Sequence, residues 1–295
     1  MKKHRAGRPA IVALAALVTV GWSVSAAEAA STPRAPVSVV ASTTYDTLYS
    51  LTSDSAGHVY AVDYSTGAVL KFNGVFQSPS VIATDTLAPR GVTWHGGLLY
   101  ISNNNGSIST VPATGGTLTT LVAAPSVSGG EAAGQQLSWD SAGNLYVSNY
   151  NNNVIGMVAP GASTETTLGL HLPTACDPFG TLIYAKTLYV ACYGTGKLVK
   201  AAMPITPGEL TTVVPTPRLT DPGEMVMDAH HSLYVLSVRS DSLVKVPLTG
   251  KATYVATTGT ELYSPWGLAA VGNTLYTALK AEPNVLAKVA LPVTR

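Results

Sequence analysis

Six times along the chain an apolar residue is followed directly by tyrosine: Val59-Tyr60, Leu99-Tyr100, Leu145-Tyr146, Leu188-Tyr189, Leu233-Tyr234 and Leu275-Tyr276. Successive tyrosines stand 40, 46, 43, 45 and 42 residues apart. Short strand-like runs flank each pair. A Pro-x-Gly-like start comes first, as in Pro89-Arg90-Gly91, Pro178-Phe179-Gly180 and Pro265-Trp266-Gly267. A tight turn follows, clearest in Asp54-Ser55-Ala56-Gly57-His58 and Asp140-Ser141-Ala142-Gly143-Asn144. After the Leu-Tyr strand come a polar loop, a third strand ending in lysine (Lys71, Lys200, Lys245) and a Thr/Val-rich fourth strand such as residues 119–122 or 211–214. A period of 40–46 residues with four strands per unit is the signature of propeller blades.

Six anchors predict an all-β fold, a six-bladed β-propeller of four-stranded blades over residues 46–295. The last repeat stops after its third strand. Val37-Ser38-Val39-Val40, in the N-terminal segment 31–45, has the pattern of an orphan fourth strand. Residues 36–42 are therefore expected to complete the last blade and close the ring, since an open ring would leave an unpaired edge.

Gly-Asn-Leu-Tyr-Val-Ser-Asn-Tyr-Asn-Asn-Asn-Val-Ile at 143–155 resembles an NHL repeat, and residues 57–70 are a looser copy. The mature chain is similar, less specifically, to the SMP-30/gluconolactonase-like, streptogramin lyase-like and strictosidine-synthase-like propellers. The resemblance implies a fold and no particular reaction.

Residues 1–30 read as a secretory signal peptide. Lys2, Lys3, Arg5 and Arg8 precede the apolar run 11–20, and Ala27-Glu28-Ala29 offers a cleavage site. The run is too short to span a bilayer, which takes about 20 residues. Its removal leaves 13 basic and 15 acidic residues, a net charge of −2. With no basic cluster, nucleic acid is excluded as a partner by charge. A secreted, extracellular monomer without a membrane anchor is expected, binding a small molecule, a peptide or an extracellular protein. Cys176 and Cys192 bracket one predicted hairpin, and in an oxidising compartment a disulfide is the default.

Loops leading into each first strand and leaving each second strand share one face around the channel. Three residues after the anchor tyrosines stand Asp63, Asn103, Asn149, Cys192, Ser237 and Leu279. At the glycine of the Pro-x-Gly slot stand Ser50, Gly91, Gln136, Gly180, Glu224 and Gly267. The candidate ligand-binding set is Asp63, Tyr64, Arg90, Asn103, Gln136, Asn149, Tyr150 and Trp266, aromatic area with a few directional polar groups. Asp, Asn and Ser at these positions are also ordinary turn formers. Glu224 replaces a repeat glycine near the axis and is the candidate catalytic residue. No cofactor is expected; Ca²⁺ or Mg²⁺ is the possible exception, through Asp63, Asn103, Asn149 and Glu224.

The resemblance to gluconolactonases implies Glu-Gly-Pro-x-Trp in an early blade, but the corresponding slots hold Arg90 and Gln135. A later Pro-Asp-Gly is matched only by Pro222-Gly223-Glu224. A streptogramin-type lyase implies a histidine base, for which only His171 lies near the face. His58, His95, His230 and His231 fall on the opposite face, where short turns promise little side-chain area. The leading expectation is a binding propeller without chemistry of its own; the alternative is a metal-assisted lactonase or lyase.

Overall fold

A computed structural model of the chain describes residues 35–291, apart from 43, 46, 74–77, 125–133, 209, 215–218, 247, 249–252, 257–261, 263 and 281–284. The expected signal peptide, residues 1–30, falls outside the described residues. Six antiparallel sheets of four strands form a ring, each sheet one blade. Five blades are consecutive in the chain, starting with the first strands Leu48–Ser53, Pro89–His95, Gly134–Trp139, Pro178–Tyr184 and Pro222–Met227. The sixth takes Pro265–Val271, Thr274–Leu279 and Val285–Ala290 from the C-terminal end. Its outer strand is Val37–Ser42, in register with Val289 through Val285. The ring closes as the incomplete last repeat predicts. Among the described residues no helix is long and apolar enough to cross a membrane.

There is no single central core. Six apolar clusters lie one in each seam between neighbouring blades, as with Tyr60, Val62, Leu99 and Ile101 between blades 1 and 2. This explains the Leu-Tyr grammar. In each second strand both sides of the sheet are covered by neighbouring blades, so Leu145-Tyr146-Val147 is buried throughout. Tyrosine fits because its ring fills the seam while its hydroxyl finds a partner. Tyr60 and Tyr146 donate to Asp54 Oδ2 (2.9 Å) and Asp140 Oδ2 (3.1 Å) in the turn before them. The third-strand lysines are explained too, for Lys71 and Lys245 lie directly across the ladder from Tyr60 and Tyr234. Their ammonium groups sit 5.5 and 5.8 Å from the ring centroids.

Cys176 and Cys192 form a disulfide, with Cα atoms 4.4 Å apart. Cys192 is the ladder partner of Pro178, and Tyr193 N–H donates to the Asp177 carbonyl (3.2 Å). The bond thus staples the loop that leads into blade 4 to the loop leaving its second strand.

Removing residues 31–44 is expected to lower the melting temperature by about 10 °C, because a long apolar edge is bared in blade 6. An unchanged melting curve would show that the ring does not depend on this strand. The Cys176→Ser/Cys192→Ser double variant is expected to cost roughly 3 kcal/mol in denaturant unfolding. Non-reducing mass spectrometry of the native protein should find no alkylatable thiol.

Candidate functional site

Each innermost strand carries an irregularity at the same place, between the Pro-like slot and the residues after it: Leu48/Ser50, Pro89/Gly91, Gly134/Leu137, Pro178/Gly180, Pro222/Met225 and Pro265/Leu268. A bulge re-aims the side chain it contains. The residues in the x position of Pro-x-Gly are Tyr49, Arg90, Gln135, Phe179, Gly223 and Trp266, and the side chains of Tyr49, Arg90, Phe179 and Trp266 turn toward the axis.

They meet there across the channel. Tyr49 lies 4.9 Å from Trp266 and 6.0 Å from Phe179, centroid to centroid, and Phe179 lies 6.0 Å from Trp266. Tyr193 stacks on Phe179 (5.8 Å) and meets Tyr150 edge-on (5.9 Å). Arg90 spans Tyr49 and Tyr64 with its guanidinium 5.3 and 5.1 Å from their centroids. It also donates to Asn104 Oδ1 (2.7 Å) and to the Tyr49 hydroxyl (3.2 Å). Burial pushes the Tyr49 hydroxyl up to about 12, against the opposing pull of Arg90, so it remains a neutral phenol at any physiological pH. Asp177 and Asp221 lie on the blade 4–5 side, where Asp221 pairs with Arg239 (2.7 Å). They raise the Tyr150 hydroxyl beyond what burial alone does.

One residue further along, a second ring closes the channel. Its members alternate: Ser50, Gln136 and Glu224 on blades 1, 3 and 5; Gly91, Gly180 and Gly267 on blades 2, 4 and 6. Glycine is required by approach. A Cβ on Gly91 would run into the carbonyl of Gln135, on Gly180 into that of Gly223, and on Gly267 into the backbone of Ser50 and Leu51. The polar members cross to their neighbours. Gln136 Oε1 accepts from Thr181 N–H and Met225 N–H (both 3.1 Å), and its Nε2 donates to the Met225 carbonyl (2.6 Å). Glu224 accepts from the Ser50 hydroxyl, from Leu268 N–H (2.7 Å) and from Leu51 N–H (3.5 Å). Ser50 Oγ in turn accepts from Val92 N–H (3.0 Å). Burial raises the Glu224 carboxyl to about 8, because desolvation outweighs those three donors.

The structure brings together Tyr64, Arg90, Tyr150 and Trp266 of the sequence-derived set. It does not bring Asp63, Asn103 and Asn149 to them, nor to Glu224. Each of these is at most 1% exposed and is engaged within its own blade. Asp63 Oδ1 accepts from Thr66 N–H and Oγ1 (both 2.7 Å) and Oδ2 from Thr47 N–H (2.8 Å). Asn103 donates to Ser107 and Ser109, and Asn149 to Glu165 (2.5 Å). Gln136 and Glu224 lie in the second ring, below the aromatic one. Among the described residues no group of three His, Cys, Asp or Glu side chains is arranged to hold a metal ion. His171 stands against Gly208, in the loop between the third and fourth strands of blade 4 and away from the mouth. Sequence reasoning placed Tyr193 on the channel face with Tyr64 and Tyr150, and missed Tyr49 and Phe179 as site residues. The signal was the x slot itself, read in all six repeats.

No protein-family profile and no curated protein matches the sequence. Solved structures with this fold are numerous. Virginiamycin B lyase from Staphylococcus aureus, with quinupristin, is 15% identical over 87% of this chain and 99% of its own, with a TM-score of 0.65. A protein assigned as a gluconolactonase is 13% identical over 86% of this chain and 92% of its own (TM-score 0.68). The nidogen/laminin complex gives 14% identity over 75% of this chain and 84% of that one (TM-score 0.61). The likeness is one of fold. Two lie in the enzyme world and the third is a protein–protein complex, so the shared fold leaves the reaction open.

The second ring predicts a pH effect. The folded carboxyl of Glu224 titrates near 8, the unfolded one near 4.5. Between those values the folded state holds a proton that the unfolded state has lost, so stability falls as pH rises from about 5 to 8. Gln136 shows that an amide satisfies the same slot. Glu224→Gln is therefore expected to flatten this fall and to raise the melting temperature by a few degrees at pH 8, on the order of 1–3 kcal/mol. A variant less stable than the parent at pH 8 would contradict the assignment.

Proposed function

We propose that the protein is a secreted propeller that binds a small molecule or peptide at the channel mouth. The observation that carries this reading is the ring of Tyr49, Tyr64, Arg90, Tyr150, Phe179, Tyr193 and Trp266, which gathers five blades around one concave mouth. Tyr64, Tyr150, Tyr193 and Trp266 remain half-exposed, so aromatic area is left to stack on a ligand. Arg90, already held over two rings, offers a planar cation to a carboxylate or a flat heterocycle. Asp177 and Asp221 give the opposite rim negative charge. A ligand with an aromatic or heterocyclic body and groups of both charges, such as a modified peptide, matches this polarity.

Secretion is supported by the basic, apolar and small-residue order of residues 1–30 and by the Cys176–Cys192 disulfide, which suits an oxidising compartment. The alternative, a metal-assisted lactonase or lyase at the same face, draws on Glu224, whose proton affinity is raised into the physiological range.

Ligand-observed NMR against aromatic fragments and short aromatic peptides tests both. Hits are expected to weaken at least tenfold in Trp266→Ala and in Tyr64→Ala, while Glu224→Gln leaves them unchanged. Turnover of a hit that is lost in Glu224→Gln would favour the enzyme. Hits indifferent to all three changes would place binding elsewhere.

A further inference from the structure

The opposite face does not match its sequence-based expectation of short turns with little side-chain area. Between blades 3 and 4 it holds an open cleft of about 810 Å³, within the roughly 300–1,000 Å³ of small-molecule sites. Its apolar surface comes from Trp139, Met157, Leu168, Ile183, Met203 and Ile205, all left half-buried. The cause is local. The outer strand of blade 3 is only two residues, Thr166–Thr167, where blades 1, 2, 4 and 5 have four or five. Met157 and Leu168 are thus left without the cover that a longer strand would give. The next seam is closed on this face by Tyr184 against His231 (5.5 Å).

Two polar features give the cleft a chemistry. Trp139 is clamped by His95, stacked at 4.2 Å, and by Tyr100, edge-on at 4.7 Å. Its indole N–H is buried and has no acceptor among the described residues. At the rim stands Lys186, exposed and with no carboxylate in ion-pair reach among the described residues. The one acid lining the cleft, Asp140, is already engaged by Ala142 N–H, Asn144 N–H, the Asn144 amide and the Tyr146 hydroxyl. What remains is an apolar body and, beside the ionised Asp140, one ammonium without an ion-pair partner among the described residues.

We propose that this cleft binds a small amphiphilic carboxylate, its apolar part against Met157, Ile183 and Met203 and its charge toward Lys186. The site lies on the face opposite the aromatic mouth and is independent of it.

Isothermal titration with dodecanoate below its micellar concentration tests this, beside dodecyltrimethylammonium of the same chain length. One saturable dodecanoate site is expected, at least tenfold tighter than the cation, with a change in tryptophan fluorescence that disappears in Trp139→Phe. Lys186→Glu, an exposed turn substitution that leaves the fold intact, should remove the preference for the anion. Met203→Glu should weaken dodecanoate at least tenfold, whereas Trp266→Ala should leave it unchanged. Equal affinity for the two head groups, or binding indifferent to Lys186→Glu, would overturn the proposal.

Discussion

The innermost strand of a propeller blade is a sheet edge, and its inward N–H groups have no ladder partner. In this protein that edge is buried at the level of Ser50, Gln136 and Glu224, and an unpaired backbone donor there is expensive. Ser50, Gln136 and Glu224 answer the constraint. Between them they take the N–H groups of Val92, Thr181, Met225, Leu268 and Leu51, so that each polar side chain ties its own blade to one or two others. The glycines of the intervening blades are the counterpart, since the strands must come close enough for a one- or three-carbon side chain to reach the next backbone. The mouth depends on this ring, because Tyr49, Arg90, Phe179 and Trp266 each precede one of its members by a single residue.

The alternation extends outward. Blades 1, 3 and 5 turn from first to second strand through Asp54, Asp140 and Asp228, and each aspartate accepts backbone N–H groups of its own turn. Blades 2, 4 and 6 use tighter turns with left-handed residues, at Gly96-Gly97, Ala185-Lys186 and Gly272. The structural unit is therefore a pair of blades, 86–89 residues between matching tyrosines, arranged three times about the axis. Within a pair the roles are complementary: one blade supplies the polar spoke and the anchored tyrosine, the other the glycine that lets the spoke pass.

Much of the architecture was legible in the sequence because a propeller writes its period openly. The Leu-Tyr spacing gave the blade number, the missing fourth strand gave the closure, and the two cysteines at the open end of one hairpin gave the disulfide. The site was less legible. Tyr64 and Asp63 are neighbours in a turn, and the sequence offers both. Only the register of that turn sends the tyrosine to the mouth and folds the carboxylate back onto Thr66. Tyr49 and Phe179 sit in positions that alternate out of the seam in a regular strand, and a bulge reverses them. Bulges leave a weak trace in one sequence, and so does the two-residue outer strand that opens the cleft beside Trp139.

The choice of a carboxylate at position 224, where position 136 holds an amide, follows from what stands opposite. Gln136 faces a carbonyl, Met225 O, as well as two N–H groups, and needs a donor and an acceptor. Glu224 faces two N–H groups and no carbonyl, and its third partner, the Ser50 hydroxyl, can donate to a carboxylate or accept from a protonated carboxyl, so no amide is needed there. The cost is desolvation, which holds a proton on this carboxyl around neutral pH. With the aromatic ring packed one layer above, that proton is coupled to the closure of blades 5, 6 and 1 before it is coupled to anything bound at the mouth.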